Sequence, residues 1–144
     1  MTEARQTTHE QVPFAVKGAF KAIHGYTSRV LEAHGVHFGQ HYLLMELFRE
    51  DGQTVGGLTE RLGVEGPTVV KTVQRMEATG LVRRQADPAD RRRVLVYLTP
   101  QGRALEAVVP GLLADVARQA VAGMSPAEVA ALLRALSAIR ANLA

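Results

Sequence analysis

Apolar residues recur along most of this chain at helical intervals. Val12, Val16, Phe20, Ile23, Val30 and Leu31 form the stripe of an amphipathic helix that ends near Gly35, a residue suited to the left-handed C′ position. Gly18 and Gly25 each weaken such a helix by about 1 kcal/mol relative to alanine, so packing has to hold it. Residues 1–11 show no periodicity and are expected to form a frayed tail. A second helix fits residues 40–50, and its largely apolar run at 42–48 predicts burial on most sides.

Two shorter helical patterns follow, divided by Leu62-Gly63-Val64. In this turn Gly63 takes positive φ while Leu62 and Val64 are expected to plug the core. The second pattern spans residues 66–78, with Pro67 in the first turn, where its missing N–H is not needed. Its inward stripe is Val69, Val73 and Met76, which leaves Thr68, Val70, Lys71, Thr72, Gln74 and Arg75 facing outward. That is the layout of a helix-turn-helix, whose second helix offers donors and small apolar groups to base edges.

After Gly80 the period changes to two. Residues 81–85 and 93–99 are β-prone, Val94, Val96 and Leu98 alternate with Leu95 and Tyr97, and Ala86-Asp87-Pro88-Ala89-Asp90 between them is turn chemistry. A hairpin with Arg91 and Arg92 at its tip, directly behind a helix-turn-helix, is a wing. Pro100 then opens a helix bearing Leu105, Val108, Val109, Leu112, Leu113 and Val116, closed by Gly123 and expected to kink at Pro110. Ser125-Pro126-Ala127-Glu128 is a capping box, and the last helix carries Val129, Leu132, Leu133, Leu136, Ile139 and Leu143 on one stripe.

The predicted fold is therefore mainly α with a small β-hairpin. A winged helix-turn-helix DNA-binding lobe occupies residues 36–99, flanked by helical dimerisation regions at 12–35 and 100–144. No other segment remains to cover the flanking apolar stripes, so a second copy of the chain is the economical partner. A homodimer also suits double-stranded DNA, because two recognition helices related by a twofold axis reach successive major grooves about 10–10.5 bp apart.

Composition narrows the chemistry. With 144 residues, 47% hydrophobic and 22% charged, the chain is an ordinary globular domain. It has no cysteine, which excludes a disulfide framework, a thiolate metal site, a cysteine nucleophile and a thiol redox sensor. No apolar run approaches the roughly 18–20 residues of a membrane span and no secretory segment is evident, so a cytoplasmic protein without membrane partners is expected. The net charge of +3 is unevenly placed: between Lys71 and Arg103 eight cations face three anions, a local +5 that leaves −2 for the rest. Such a block favours a polyanionic partner.

These residues resemble the MarR family of winged helix-turn-helix regulators. The likeness runs through Leu58-Thr59-Glu60-Arg61-Leu62-Gly63-Val64, Thr68-Val69, Met76-Glu77, Gly80-Leu81-Val82 and Arg84, and then through Asp87-Pro88-Ala89-Asp90-Arg91-Arg92 and Leu98-Thr99-Pro100-Gln101-Gly102-Arg103. It covers about residues 12–143. The resemblance implies a homodimer with interlocking termini that binds a palindromic operator, usually as a repressor, and lets go when a small-molecule effector binds. It also implies that Arg92 is a minor-groove arginine held by Asp90. Glu65 departs from the family's usual Ser or Thr N-cap: a carboxylate there can cap the helix but repels a phosphate.

The candidate DNA contacts are Pro67, Thr68, Val70, Lys71, Gln74, Arg75, Arg84, Asp90, Arg91, Arg92 and Arg93. Lys71 and Arg75, four apart, share a face from which either meets phosphate and the arginine can pair with guanine; Gln74 suits adenine and Val70 a thymine methyl. Candidate effector contacts are Tyr26, Arg29, His37 and His41. A metal-responsive regulator built on His24, His34, His37 and His41 is an alternative. It would need His37 and His41 on one helix, which Gly39 opposes. A winged-helix interaction module that does not bind DNA is a second alternative, and it predicts a neutral or acidic outward face at 67–75, where this chain is basic. RNA lacks an aromatic stacking platform here. No nucleotide loop, nucleophile constellation or carboxylate pair suggests an enzyme, and no cofactor is expected.

Overall fold

The computed structural model describes residues 8–144. Its elements in chain order are α1 (Thr8–Glu32), α2 (Gln40–Arg49), β1 (Gln53–Thr54), α3 (Val55–Leu62), α4 (Gly66–Ala78), β2 (Val82–Ala86), β3 (Val94–Leu98), α5 (Pro100–Ala104), a 3₁₀ turn (Leu105–Ala107), α6 (Val109–Ala120) and α7 (Pro126–Leu143). The fold is thus mainly helical with a small sheet. Among the described residues no helix is long and apolar enough to cross a membrane.

The first helix starts earlier than the apolar stripe. Residues 8–11 of the expected tail are helical, while residues 1–7 lie outside the described residues. That added turn is exposed on all sides and so carries no periodicity, and Glu10 within it complements the positive end of the helix dipole. At the other end Gly35, at φ 73°, closes the helix: the Val36 N–H donates to the Leu31 carbonyl and the Gly35 N–H to that of Glu32. Leu31 and Val36, which flank this closure, are both fully buried.

The core sits under the helix-turn-helix. Leu43, Leu44 and Leu47 of α2, Leu58 of α3, Val69, Val73 and Met76 of α4, and Val82, Val96 and Leu98 of the sheet are all buried together. The α4 stripe is the expected one. α2 is more lopsided than expected, because Tyr42 and Met45 face outward from it. Thr54 caps α3 by accepting the Gly57 N–H, and Gly63 ends it at φ 63°. Of the two residues expected to plug the core at this turn, Leu62 packs against it and Val64 does not. Val64 instead lines a surface groove with Tyr42, Leu62 and Thr72, since the chain is already turning outward towards α4.

The sheet has an unexpected third strand. β2 and β3 form the antiparallel hairpin, with Arg84 opposite Val96, and β1 joins the other side of β3, pairing Gln53 with Val96 and Thr54 with Leu95. Asp51 reinforces this edge by accepting the Leu98 N–H at 2.9 Å and pairing with Arg103 at 3.1 Å. The junction to the flanking helices is tight. Thr99 caps α5 through the Gly102 N–H and also donates to the Gly80 carbonyl, while the Leu81 carbonyl accepts from the Thr99 N–H.

Pro110 does more than kink one helix. The expected continuous helix after Pro100 is two helices, interrupted by the 3₁₀ turn and by Val108 at φ −122°, and Pro110 lies in the first turn of the second. Proline has no N–H for the Glu106 carbonyl and its ring would clash with that group, so the chain breaks and restarts where proline fits. The capping box at Ser125 and Glu128 is formed, yet no side chain of α7 is buried. Phe14, Phe20 and Ile23 of α1 and Leu132, Leu133, Leu136 and Leu143 of α7 are likewise exposed.

Candidate nucleic-acid interface

The outward side of α4 is basic and largely unpaired. Pro67, Thr68, Val70, Lys71, Gln74 and Arg75 are exposed, and neither Lys71 nor Arg75 forms an ion pair with a described residue. Thr72 is half-buried, and its hydroxyl donates to the Thr68 carbonyl, which holds it against the helix. Glu65 stands at the N-cap, but its side chain makes no capping hydrogen bond; its backbone carbonyl takes the Thr68 and Val69 N–H groups instead. The expected carboxylate cap is therefore not made. One reason is that Pro67 has no N–H to offer at that end.

The wing tip presents an arginine in a built cradle. Asp87 and Arg93 close the loop through Asp87 N–H to the Arg93 carbonyl and Arg93 N–H to the Asp90 carbonyl. Asp90 Oδ1 accepts from both the backbone N–H and Nε of Arg92 at 3.1 Å. The Arg92 guanidinium holds the Asp90 carboxyl below its ordinary range, yet the Arg92 side chain is 91% exposed. It is thus oriented without being covered. Arg91 and Arg93 are exposed beside it.

Arg84 is differently placed. Its Nε and Nη2 donate to Glu77 Oε1 at 3.1 and 3.0 Å, and its backbone N–H donates to Glu77 Oε2 at 3.0 Å. These contacts also hold the Glu77 carboxyl below its ordinary range. On the opposite face of the strand Arg83 stacks over the Tyr97 ring at 4.5 Å, a second cation the sequence did not assign.

Helix and wing share one concavity. A cleft of about 690 Å³ is lined by Val70 and Val73 of α4, Gly56, Gly57 and Glu60 of α3, and Arg84, Arg92, Arg93 and Val94 of the wing. This brings together four of the predicted contacts, Val70 of the helix and Arg84, Arg92 and Arg93 of the wing.

The candidate effector residues are not brought together in one chain. Tyr26 lines a groove of about 290 Å³ with Ala19, Ala22 and Ile23 of α1 and Val116, Gln119 and Ala120 of α6, and the Arg29 guanidinium lies 5.7 Å from the Tyr26 ring centre. His37 is exposed before α2, with its N–H on Gln40 Oε1. His41 is buried; its Nδ1 accepts the Gly39 N–H at 3.1 Å, and its ring lies 4.1 Å from Tyr42 and 5.0 Å from Phe38. Burial holds its pKa below the usual imidazole value. The acceptor role of Nδ1 fits the neutral tautomer with its proton on Nε2.

The histidine metal site considered as an alternative does not assemble. Among the described residues no three His, Asp or Glu side chains converge. His24 and His41 each pack on Phe38, the former at 4.0 Å, and their rings serve an aromatic cluster with Phe20 and Tyr42.

Comparison with known proteins agrees with this architecture. Residues 34–93 match the sequence profile described as MarR family. The chain is 33% identical over 138 residues to the HTH-type transcriptional regulator TtmR of Methylorubrum extorquens, covering 96% of this chain and 70% of that protein. Among solved structures it resembles Bordetella bronchiseptica BpsR, whose DNA binding is described as regulated by 6-hydroxynicotinic acid, with a TM-score of 0.77, 26% identity, and coverage of 91% and 99% of the two chains. The fold also matches S. aureus MepR in its DNA complex, with a TM-score of 0.83, 21% identity, and coverage of 90% and 96%.

Proposed function

The chain belongs to the MarR family of transcriptional regulators, and from that premise we propose that it is a homodimeric repressor that binds a palindromic operator and is released by a small-molecule effector. The carrying observation is the shared concavity of α4 and the wing, which the exposed Val70 lines together with Arg92 and Arg93. A major groove about 12 Å wide admits α4, where Lys71 and Arg75 meet phosphate or guanine, Gln74 adenine, and Thr68 and Pro67 the backbone near the helix start. The wing then falls on the adjacent minor groove. A narrow A·T-rich groove concentrates negative potential, and an exposed guanidinium pre-oriented by Asp90 suits it. MepR holds this same fold on DNA.

The flanking helices support the dimer. A predominantly apolar groove of about 890 Å³ runs between α1 and α7, lined by Val12, Val16, Phe20, Ile139 and Leu143, and Phe14 of α1 and Leu133 and Leu143 of α7 are mostly exposed in the single chain. Large apolar side chains exposed together along two neighbouring helices suit an interface. Residues 12–35 and 100–144 therefore form the dimerisation region and residues 36–99 the reading lobe. For the effector, the groove beside Tyr26 supplies an aromatic wall and a nearby cation in Arg29, a match for a small aromatic acid; His37 and His41 do not line that groove.

Selection of bound duplexes from a random pool tests the reading, followed by transcription in vitro from a promoter carrying the enriched site and a screen of small aromatic acids for release. Enrichment of a palindrome and lowered transcription are expected. A protein that enriches no duplex would be an interaction module instead.

A further inference from the structure

Glu77 stands in the last turn of α4, the end where the helix dipole disfavours a carboxylate. Its oxygens nevertheless take three hydrogen bonds, all from one residue of the wing: the Nε, Nη2 and backbone N–H of Arg84. β2 is an edge strand, so its outward-facing amides have no strand partner, and Glu77 supplies one. The main chain of Glu77 is committed as well, since its carbonyl accepts the N–H of Gly80 in the turn that leads to β2. Meanwhile Lys71, Arg75 and Arg91 form no ion pair with a described carboxylate.

The geometry points to Glu77 as a positioning residue that clamps β2 to the end of α4, sets the angle between recognition helix and wing, and withholds the Arg84 guanidinium from DNA. This rests on the DNA-binding reading above and changes one part of it: Arg84, a candidate DNA contact in the sequence, is a strut. The wing's DNA-facing cations are then Arg91, Arg92 and Arg93.

The two roles of Arg84 predict opposite results. A direct phosphate contact releases counterions, so losing it lowers the slope of log affinity against log salt by about 0.9, and freeing Arg84 from Glu77 would strengthen binding or leave it unchanged. A strut contributes nothing to that slope. The test uses the full-length chain and the palindromic duplex enriched by the wild type, with Glu77→Ala, Glu77→Gln, Arg84→Ala and the double Glu77→Ala/Arg84→Ala.

If the clamp is real, each alanine variant binds roughly tenfold more weakly, the equivalent of a lost charge-assisted hydrogen bond, with an unchanged salt slope. The double variant binds no more weakly than either single one, because the residues act through each other. Glu77→Gln, which keeps the shape and one acceptor oxygen, recovers part of the loss. In the free protein, amide exchange at residue 84 speeds up in Glu77→Ala and less in Glu77→Gln. Thermal melting and gel filtration identify any variant that fails to fold, and amide exchange in Glu77→Gln then decides alone: no acceleration overturns the clamp. Also decisive against it would be a shallower slope in Arg84→Ala, a Glu77→Ala variant that binds like the wild type, or additive losses. A wild type that enriches no duplex removes the premise, and that arm alone tells it apart from failure of the clamp.

Discussion

Replacing Gly102 with alanine tests how the reading lobe is joined to the helices behind it. A Cβ at this position would sit 2.1 Å from the Leu81 carbonyl oxygen, 3.1 Å from the Leu81 carbonyl carbon and 3.3 Å from a Leu98 methyl. Relief needs more than 1 Å of movement, and the nearest obstacle is main chain. That carbonyl already accepts the Thr99 N–H, so moving it loosens the cap of α5 and the start of β2 together. Overpacking of this kind destabilises by about 1–3 kcal/mol, and the backbone obstacle puts Gly102→Ala near the upper end. For 144 residues at about 2.1 cal/mol/K each, the unfolding entropy is roughly 0.3 kcal/mol/K, so a loss of 2–3 kcal/mol lowers Tm by about 7–10 °C. Differential scanning calorimetry at fixed protein concentration measures it. Gly56→Ala is the control: nothing lies within 4 Å of its Cβ and its φ is not positive, so its Tm should match or slightly exceed the wild type's. A Gly102→Ala protein melting within 2 °C of the wild type would refute the reasoning.

Other consequences are equally open to measurement. Arg92→Ala is expected to weaken operator binding at least tenfold and to flatten the salt slope by about 0.9, while the dimer stays folded; affinity within twofold of wild type at fixed salt would contradict the minor-groove role. Asp90→Ala should lose less, because the arginine remains but its orientation is no longer set. Leu133→Glu places a charge on the exposed apolar face of α7, and gel filtration should show the species shift from twice 15.6 kDa towards 15.6 kDa. His41 binds its proton less readily folded than unfolded, so between its lowered pKa and the usual 6.5 the unfolded chain holds more protons and stability falls as pH falls. Melting scans from pH 7.5 to 5.5 should show that loss, reduced in His41→Asn, whereas loss from Glu46, Glu77 and Asp90 appears only at more acidic pH. An equal loss in His41→Asn would show that other groups carry it.

The sequence was most legible where one face of an element is buried and the other solvated. Val69, Val73 and Met76 sit at helical spacing against Lys71 and Arg75, so the span and the orientation of α4 could be read directly. The contact of Asp90 with Arg92 was expected through the family resemblance rather than from periodicity, and it forms within one turn of the wing. Other features were invisible for definite reasons. β1 is two residues long, too short to show alternation, and exists only because β3 offers it an edge. The exposed first turn of α1 has no stripe. Glu77 and Arg84 are seven residues apart across a turn, a spacing neither helix nor strand periodicity brings together. Histidines 24 and 41 looked like potential ligands in one dimension and are stacked on Phe38 in three.

Thr54 has a consequence of its own. Its backbone belongs to the ladder with Leu95, its hydroxyl caps α3, and its side chain helps wall the cleft beneath the wing. One residue therefore ties the edge of the sheet to the start of α3. A change that displaces it would disturb the strand ladder and the helix start in the same event rather than one element alone.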